Sequence, residues 1–279
     1  YVLDANTTAN ENTAVGSFAL TNNTTGSSNT ALGYNCLADN STGESNTAVG
    51  MRALKGNTAD NNTAVGYHAL EENTTGTANV AVGSNALDAN TTGINNTAVG
   101  FEALSSNTTA SSNTAVGRRS LKVLTTGTEN AALGQGSLES ATTGSNNTAM
   151  GSGALGNNTT ASNNTAVGQN SLHANTTGDQ NTAIGVDAMR RFTTGQYTTA
   201  VGVEALAYAT TSTWSTAVGR RCLYRVTTGN NNTAMGQGCA QHITTGYENV
   251  AVGSDALQQC TTGNYNCAIG RQACANTTG

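Results

Sequence analysis

Six cysteines are the first residues of this 279-residue chain whose chemistry could matter. Cys222 and Cys239 are seventeen residues apart, which is also the interval at which the whole sequence repeats. If residues one interval apart lie side by side, their Cα atoms are about 5 Å apart, within disulfide range. No Cys-x-x-Cys pair suggests a zinc site. We expect buried thiols that act as small apolar groups, with a Cys222–Cys239 disulfide as the alternative and no metal site.

Asn-x-Thr tripeptides, the acceptor sites for N-linked glycans in secreted proteins, occur at two places in the repeat. A repeat rich in Asn and Thr forms such tripeptides by chance. We expect the junction between repeats to be an exposed corner, where a glycan could be attached. The junction candidates are Asn61, Asn95, Asn146, Asn163 and Asn231. The candidates within the Asn-Thr-Thr segment, which an inward row of amides explains equally well, are Asn23, Asn73, Asn90 and Asn175.

Catalytic groups do not recur in the repeat. His68, His173 and His242 occupy three different places in it, and the carboxylates stand at variable places. No nucleophile is paired with a base, so we expect no catalytic residue, no cofactor and no enzymatic activity. The net charge of −5 argues against nucleic acid, which calls for a basic stripe. Three Arg-Arg pairs are interpreted as solvated turns.

The repeat itself is the strongest signal. Sixteen glycines from Gly16 to Gly270 follow one another at intervals of seventeen residues, with one interval of sixteen before Gly66. A fixed short period indicates stacked structural units. Seventeen residues are too few for a helical or leucine-rich repeat, which need at least about 20. The sequence therefore predicts an all-β parallel β-solenoid of about sixteen coils.

Numbering each repeat from the Asn that corresponds to Asn12, positions two to four predict a short strand that ends at the glycine of position five. Positions twelve to fourteen, usually Asn-Thr-Thr, predict a second strand. Proline, which cannot donate to a strand ladder, is absent. Position four varies among aliphatic residues and position nine is mostly Leu, so both are predicted to face the core. Position two is expected to share the face of position four.

Position three is Ala in all sixteen repeats. With positions two and four assigned to the core, this alanine is predicted to face outward and to pack closely against another copy of the chain. The alternative is a coil so flat that both faces of the strand are internal. The candidate subunit-interface residues are Ala14, Ala31, Ala48, Ala64, Ala98 and Ala115.

Position twelve is Asn in most early repeats but an apolar residue such as Leu124, Phe192 or Ile243 in later ones. Asn that exchanges with apolar residues and never with charged ones predicts an inward ladder of stacked amides.

The repeat runs through residues 1–279, which we interpret as one continuous solenoid domain. The chain lacks an initiator Met and begins and stops within a repeat, so we expect a segment of a longer protein. No signal peptide, basic cluster or long apolar stretch is present in the sequence, and we expect no membrane contact within this segment.

The unit Asn-Thr-Ala-Val-Gly-x-x-Ala, as in residues 12–19, resembles the Ser/Asn-x-Ala-Val/Ile-Gly-x-x-Ala repeat of trimeric autotransporter adhesin heads. It is similar also to the Asn-Thr-Ala-Val-Gly repeats of tail-fibre-like proteins of phages and large viruses. The adhesin resemblance implies a left-handed parallel β-roll, three chains around one axis, and an extracellular adhesive or spacing role. The unit here is longer and adds the Asn-Thr-Thr-Gly segment.

These observations favour a structural fibre or adhesin shaft on a cell or virion surface, N-glycosylated if secreted by a suitable host. Its expected partners are copies of itself, as an oligomer or filament, and host surfaces or glycans. One alternative is an ice-binding solenoid, which we consider weaker because only one outward Thr column is expected. The other is a carbohydrate-binding module that uses variable corner residues such as Phe18, Tyr67, Phe101 and Trp214.

Overall fold

The computed structural model describes residues 2–276 and shows an all-β parallel β-solenoid. Its sixteen strands have three residues each and fill positions two to four of the repeat. The contacts group the chain into two compact units, which meet in sequence between Thr143 and Gly144. The strands of the first unit are β1 Thr13–Val15, β2 Thr30–Leu32, β3 Thr47–Val49, β4 Thr63–Val65, β5 Val80–Val82, β6 Thr97–Val99, β7 Thr114–Val116 and β8 Ala131–Leu133. Those of the second are β9 Thr148–Met150, β10 Thr165–Val167, β11 Thr182–Ile184, β12 Thr199–Val201, β13 Thr216–Val218, β14 Thr233–Met235, β15 Val250–Val252 and β16 Cys267–Ile269.

Within each unit, consecutive strands pair in parallel with equivalent positions opposite each other. Ala98 of β6, for example, lies opposite Ala81 of β5 and Ala115 of β7. The backbone also joins the coils outside the strands. The N–H of Leu104 at position nine donates to the carbonyl of Ser120 in the next coil at 3.1 Å. Such axial bonds satisfy the backbone of a chain that has little regular structure within any one coil.

The predicted orientation of the strand side chains is wrong. The position-three alanines are buried in every strand but the first, where Ala14 is half-buried, whereas the residues at positions two and four are exposed or half-buried. The physical reason is a narrow interior, because position eight lies directly behind the strand. The Ser120 hydroxyl at that position donates to the carbonyl of Ala132 at 3.2 Å, and the Cys36 thiol to that of Ala48 at 3.1 Å. The space between the strand and position eight therefore accommodates no side chain larger than the methyl group of alanine.

The turn after each strand requires glycine. The position-five glycines have φ between 120° and 145°, a region that side chains disfavour. They also stack on one another. A Cβ on Gly100 would lie 2.6 Å from the carbonyl oxygen of Gly117. Both constraints apply in each coil that is followed by another coil of the same unit. They explain why glycine is invariant at this position.

The Asn-Thr-Thr segment is not a second strand, which corrects the prediction. Its bonds between coils do not form a ladder. The N–H groups of Thr24 and Thr25 both donate to the carbonyl of Ser41, at 2.9 and 3.1 Å, and the Thr24 hydroxyl donates to the same oxygen at 2.9 Å. One carbonyl thus accepts three donors, a pattern that a regular strand cannot adopt.

The predicted amide ladder at position twelve is confirmed. Asn90 donates its amide to Asn73 at 2.8 Å, and Asn107 donates to Asn90 at 2.9 Å. The apolar residues that replace Asn in this column, such as Leu124 and Phe192, are fully buried. The predicted core column at position nine is confirmed as well, because its leucines from Leu20 to Leu257 are buried.

A second amide ladder, which sequence reasoning missed, runs through position one. The side-chain oxygen of Asn79 accepts the backbone N–H of Asn96 at 3.0 Å, and that of Asn96 accepts the backbone N–H of Asn113 at 3.0 Å. The Asn96 amide also donates to the carbonyl of Ala110 at 2.9 Å. This ladder provides hydrogen-bond partners for the buried polar groups that lie between each junction and the following strand.

Candidate functional site

The outward face of the strands is a uniform surface that recurs from coil to coil in each unit. In the first unit it carries two columns, one of Thr, Val or Ala at position two and one of Val or Leu at position four. The aliphatic column ranges from half-buried, as at Val99, to exposed, with 47% of Leu32 and 46% of Leu133 accessible to solvent. No charged side chain occurs at either position in β1 to β8.

The second unit presents the same face with larger side chains. Met150, Ile184 and Met235 of its aliphatic column are exposed by 39% to 47%, and position two is again mostly Thr. Monomeric soluble proteins rarely leave contiguous apolar surface of more than a few hundred Å² exposed, and larger patches mark interaction sites. This face is therefore a candidate interaction surface in both units.

The alanines predicted to form a subunit interface lie inside the coil instead. Side chains that are inaccessible within their own chain cannot contact a second one, so the prediction is wrong for the five alanines that are fully buried. Those fully buried are Ala31, Ala48, Ala64, Ala98 and Ala115, while Ala14 in the first strand is half-buried.

The two groups of candidate glycosylation sites differ in exposure. The junction residues are exposed, with φ between 56° and 61°, so a glycan at any of them remains a prediction. These are Asn61, Asn95, Asn146, Asn163 and Asn231. The residues of the other group are completely buried in the position-twelve ladder, and an attached sugar is incompatible with that position in the folded chain. These are Asn23, Asn73, Asn90 and Asn175.

Cys222 and Cys239 lie in adjacent coils, as the sequence predicted, but they are thiols and not a disulfide in the structure. Each Sγ donates to a strand carbonyl, Cys222 to Ala234 at 3.2 Å and Cys239 to Ala251 at 3.1 Å. The contact with Cys239 is the main cause that raises the pKa of the Cys222 thiol, and burial is the second cause. Burial likewise raises the pKa of Cys36 to about 12. Both groups are therefore weak nucleophiles at neutral pH.

One cluster of ionisable side chains stands out in the first unit, on the corner after the strands. Glu71 accepts from Arg52 and from Nδ1 of His68, both at 2.6 Å. His68 stacks on Tyr67 with ring centroids 3.8 Å apart. Asp88, at the position equivalent to Glu71 one coil further, has a buried carboxylate oxygen without a hydrogen-bond partner. Glu71 is paired with both Arg52 and His68, so the arrangement fits an ion-pair network at a coil corner.

Asp88 gives the fold a specific pH dependence. Burial, and to a lesser degree Glu71, raises the pKa of Asp88 from 3.8 to about 6. The folded chain thus binds this proton more tightly than the unfolded chain, and the stability this contributes below about pH 4 is lost as the pH rises through 6. We expect Asp88→Asn to raise the free energy of unfolding at pH 8, by on the order of 1 kcal/mol once partial exposure is allowed for, and to change it little at pH 4.

Urea denaturation at the two pH values measures this difference, with Asp39→Asn at an exposed corner as the matched control. An Asp88→Asn variant that is less stable than the wild type at pH 8, or equally shifted at both pH values, contradicts the expectation.

Within residues 2–276, no three His, Cys, Asp or Glu side chains are grouped so that they could hold a metal ion. The same range contains no helix with the length and apolar character that a membrane span requires. Compared with models of protein families, with curated proteins and with solved structures, the chain matches none of them.

Proposed function

We propose that the chain is an extracellular structural shaft, part of a fibre or an adhesin, whose copies associate through the outward face of the strands. The observation that carries this proposal is the pair of uncharged columns at positions two and four, which repeats on every strand. Repetition gives a solenoid length and regularity without any residue that acts alone. The resemblance to adhesin heads and tail-fibre-like proteins supports a location on a cell or virion surface, with host surfaces or glycans as further partners.

The regularity of the face supports association between copies, and its size sets how much of the chain must take part. Strands lie about 4.8 Å apart and rise about 3.3 Å per residue. Eight coils of one unit therefore present a strip of roughly 38 by 10 Å, on the order of 400 Å² before the relief of the side chains is counted. Stable protein interfaces bury about 800 Å² on each partner, so one unit alone supplies about half of that area. An identical copy also matches this uncharged face in spacing, since its columns have the same repeat.

Charge placed on this face tests the proposal. We expect Val82→Lys, Val99→Lys and Val116→Lys together to give a monomer, because burying three ammonium groups in an interface costs more than the apolar contact supplies. The control carries the same three charges on exposed corners of nearby coils, as Ala78→Lys, Asn95→Lys and Ser112→Lys. Light scattering coupled to size exclusion measures the assembly, and circular dichroism verifies the fold.

The proposal predicts that the wild type and the corner variant form an oligomer at micromolar concentration, while the face variant elutes as a folded monomer. A wild type that is monomeric at every concentration, or a face variant that assembles as the wild type does, contradicts it.

Ice binding is the second candidate, and one observation favours it. Thr at position fourteen is exposed in every described coil that has this position, including coils in which position twelve is apolar, such as those with Thr126, Thr194 and Thr228. The earlier expectation of a single outward Thr column is wrong, because the strand threonines are outward as well. Thermal hysteresis of the same samples separates the two functions. An ice-binding chain depresses the freezing point even when the face variant is monomeric, whereas a structural shaft does not depress it.

A further inference from the structure

The second unit carries a short row of cationic and aromatic side chains at position eleven. Arg191, Tyr208, Arg225 and His242 occupy this position in four consecutive coils. Their backbone N–H groups each donate to the next coil, at 3.1 to 3.2 Å, which places the four residues side by side. Five of the eleven Lys and Arg residues of the chain fall between residues 190 and 225, so positive charge is concentrated here in a chain of net charge −5.

Tyr208 and Tyr224 form the aromatic wall of an open cleft within this row. Their rings meet edge to face, with centroids 4.9 Å apart and planes at 74°. The Arg191 guanidinium lies over the Tyr208 ring at 4.3 Å. The cleft measures about 360 Å³ and is lined by the two tyrosines together with Arg225, Thr227 and Thr244. This volume lies in the range of small-molecule sites, about 300 to 1,000 Å³.

The cations in and around the cleft are incompletely neutralised. Arg221 pairs with Glu204, and Arg190 lies 3.6 Å from Asp187. Among residues 2–276, neither Arg191 nor Arg225 forms an ion pair with an acidic side chain. Arg225 is exposed at the rim of the cleft. Its guanidinium is therefore available to a ligand anion.

The threonines of the cleft can accept hydrogen bonds. The Thr227 hydroxyl donates to the carbonyl of Thr244 at 3.2 Å, and the Thr244 hydroxyl donates to that of Thr261 at 3.0 Å. Each hydroxyl proton is thus used within the chain, while the oxygen keeps lone pairs that can accept from a ligand hydroxyl.

We propose that this cleft binds an acidic saccharide, a pyranose that bears a carboxylate or a sulfate. The C–H groups of a pyranose ring match the negative face of a tyrosine ring, and its hydroxyls match the acceptors on Thr227 and Thr244. Arg225 forms paired, charge-assisted hydrogen bonds with a carboxylate or sulfate. The row from Arg191 to His242 continues beyond the cleft, so an acidic polymer gains further contacts along it.

Titration of the full chain with defined oligosaccharides tests the proposal. The probes are a galacturonate tetramer, which carries carboxylates alone, a sulfated chondroitin tetramer, and neutral cellotetraose, with binding followed by calorimetry. We expect saturable binding of at least one acidic probe, weakened by salt, and at least tenfold weaker binding of cellotetraose. The two acidic probes identify which anion the cleft prefers.

Arg225→Glu is expected to weaken binding of the acidic probe at least tenfold, and Tyr208→Ala to weaken it severalfold. The matched controls are Arg118→Glu and Phe18→Ala, which alter an exposed arginine and an exposed aromatic residue in the first unit. Thermal melts followed by circular dichroism verify that each variant is folded. Because these residues lie at corner positions and not on the outward strand face, the result is independent of the assembly test.

Three results with these probes overturn the proposal: no saturable binding of either acidic probe, equal binding of cellotetraose, or equal weakening by Arg225→Glu and Arg118→Glu. The last would indicate non-specific attraction of anions. An oligothymidylate octamer serves as a fourth probe. If it binds more tightly than both acidic saccharides, the proposal is overturned as well and the cleft is assigned to single-stranded nucleic acid.

Discussion

Ala98→Leu is expected to destabilise the first unit severely, whereas Val99→Leu, one residue further along the same strand, is expected to be nearly neutral. Ala98 is completely buried between Ala81 and Ala115, in an interior that position eight closes from behind. A leucine there adds three carbon atoms where only a methyl group fits. Overpacking of this kind costs about 1 to 3 kcal/mol, and more where the backbone on both sides is tied to adjacent coils.

Val99 supplies the matched control because its side chain points to the outer face, where Leu32 and Leu133 already occupy the equivalent position. Urea denaturation followed by circular dichroism, at concentrations where both variants are in the same assembly state, measures the difference. If Ala98→Leu is as stable as the wild type and Val99→Leu is not, then the orientation of the strand is the reverse of the one described.

The sequence was sufficient to predict the period, the turn at the glycine and the solenoid, because all three depend on residues that recur at fixed intervals. It was not sufficient to predict which face of the strand is internal. Hydrophobicity favoured Val99 over Ala98 as a core residue, since aliphatic side chains are usually buried. The contrary signal was variation. Position four accepts Val, Leu, Ile and Met, while position three accepts nothing larger than Ala, as a narrow interior requires.

The exposure of the junction asparagines could be predicted because corners between repeats face solvent. The cleft at Tyr208 could not, since its residues belong to the variable positions of different repeats. Arg191, Tyr208 and Arg225 are each seventeen residues apart, and this spacing was the available signal. It becomes meaningful only once the coils are known to stack in register.

The position-one ladder leads to the second large effect. We expect Asn96→Leu to lower the free energy of unfolding by about 2 kcal/mol or more, because it leaves one buried backbone N–H unpaired at about 1 to 3 kcal/mol and breaks further side-chain hydrogen bonds. The backbone N–H of Asn113 loses its acceptor at 3.0 Å, whereas the side-chain oxygen of Asn79 keeps the backbone N–H of residue 96 and loses only the side-chain amide at 3.2 Å. The amide proton of Asn113 is also expected to exchange faster with solvent, which mass spectrometry of exchanged peptides measures.

Two matched variants distinguish the loss of the ladder hydrogen bonds from the effect of replacing a buried side chain. Asn96→Ser is expected to recover much of the stability, because Ser215 occupies position one elsewhere and its hydroxyl accepts from the N–H of Asn232 at 3.3 Å. Asn40→Leu, in the other ladder, is expected to cost less than Asn96→Leu. Within residues 2–276, the side-chain oxygen of Asn40 accepts no hydrogen bond, and the carbonyl of Gly43 keeps its bond from Asn29 when Asn40 is lost. Leu124 already occupies position twelve in a later coil. Equal losses for Asn96→Leu and Asn40→Leu would contradict this distinction.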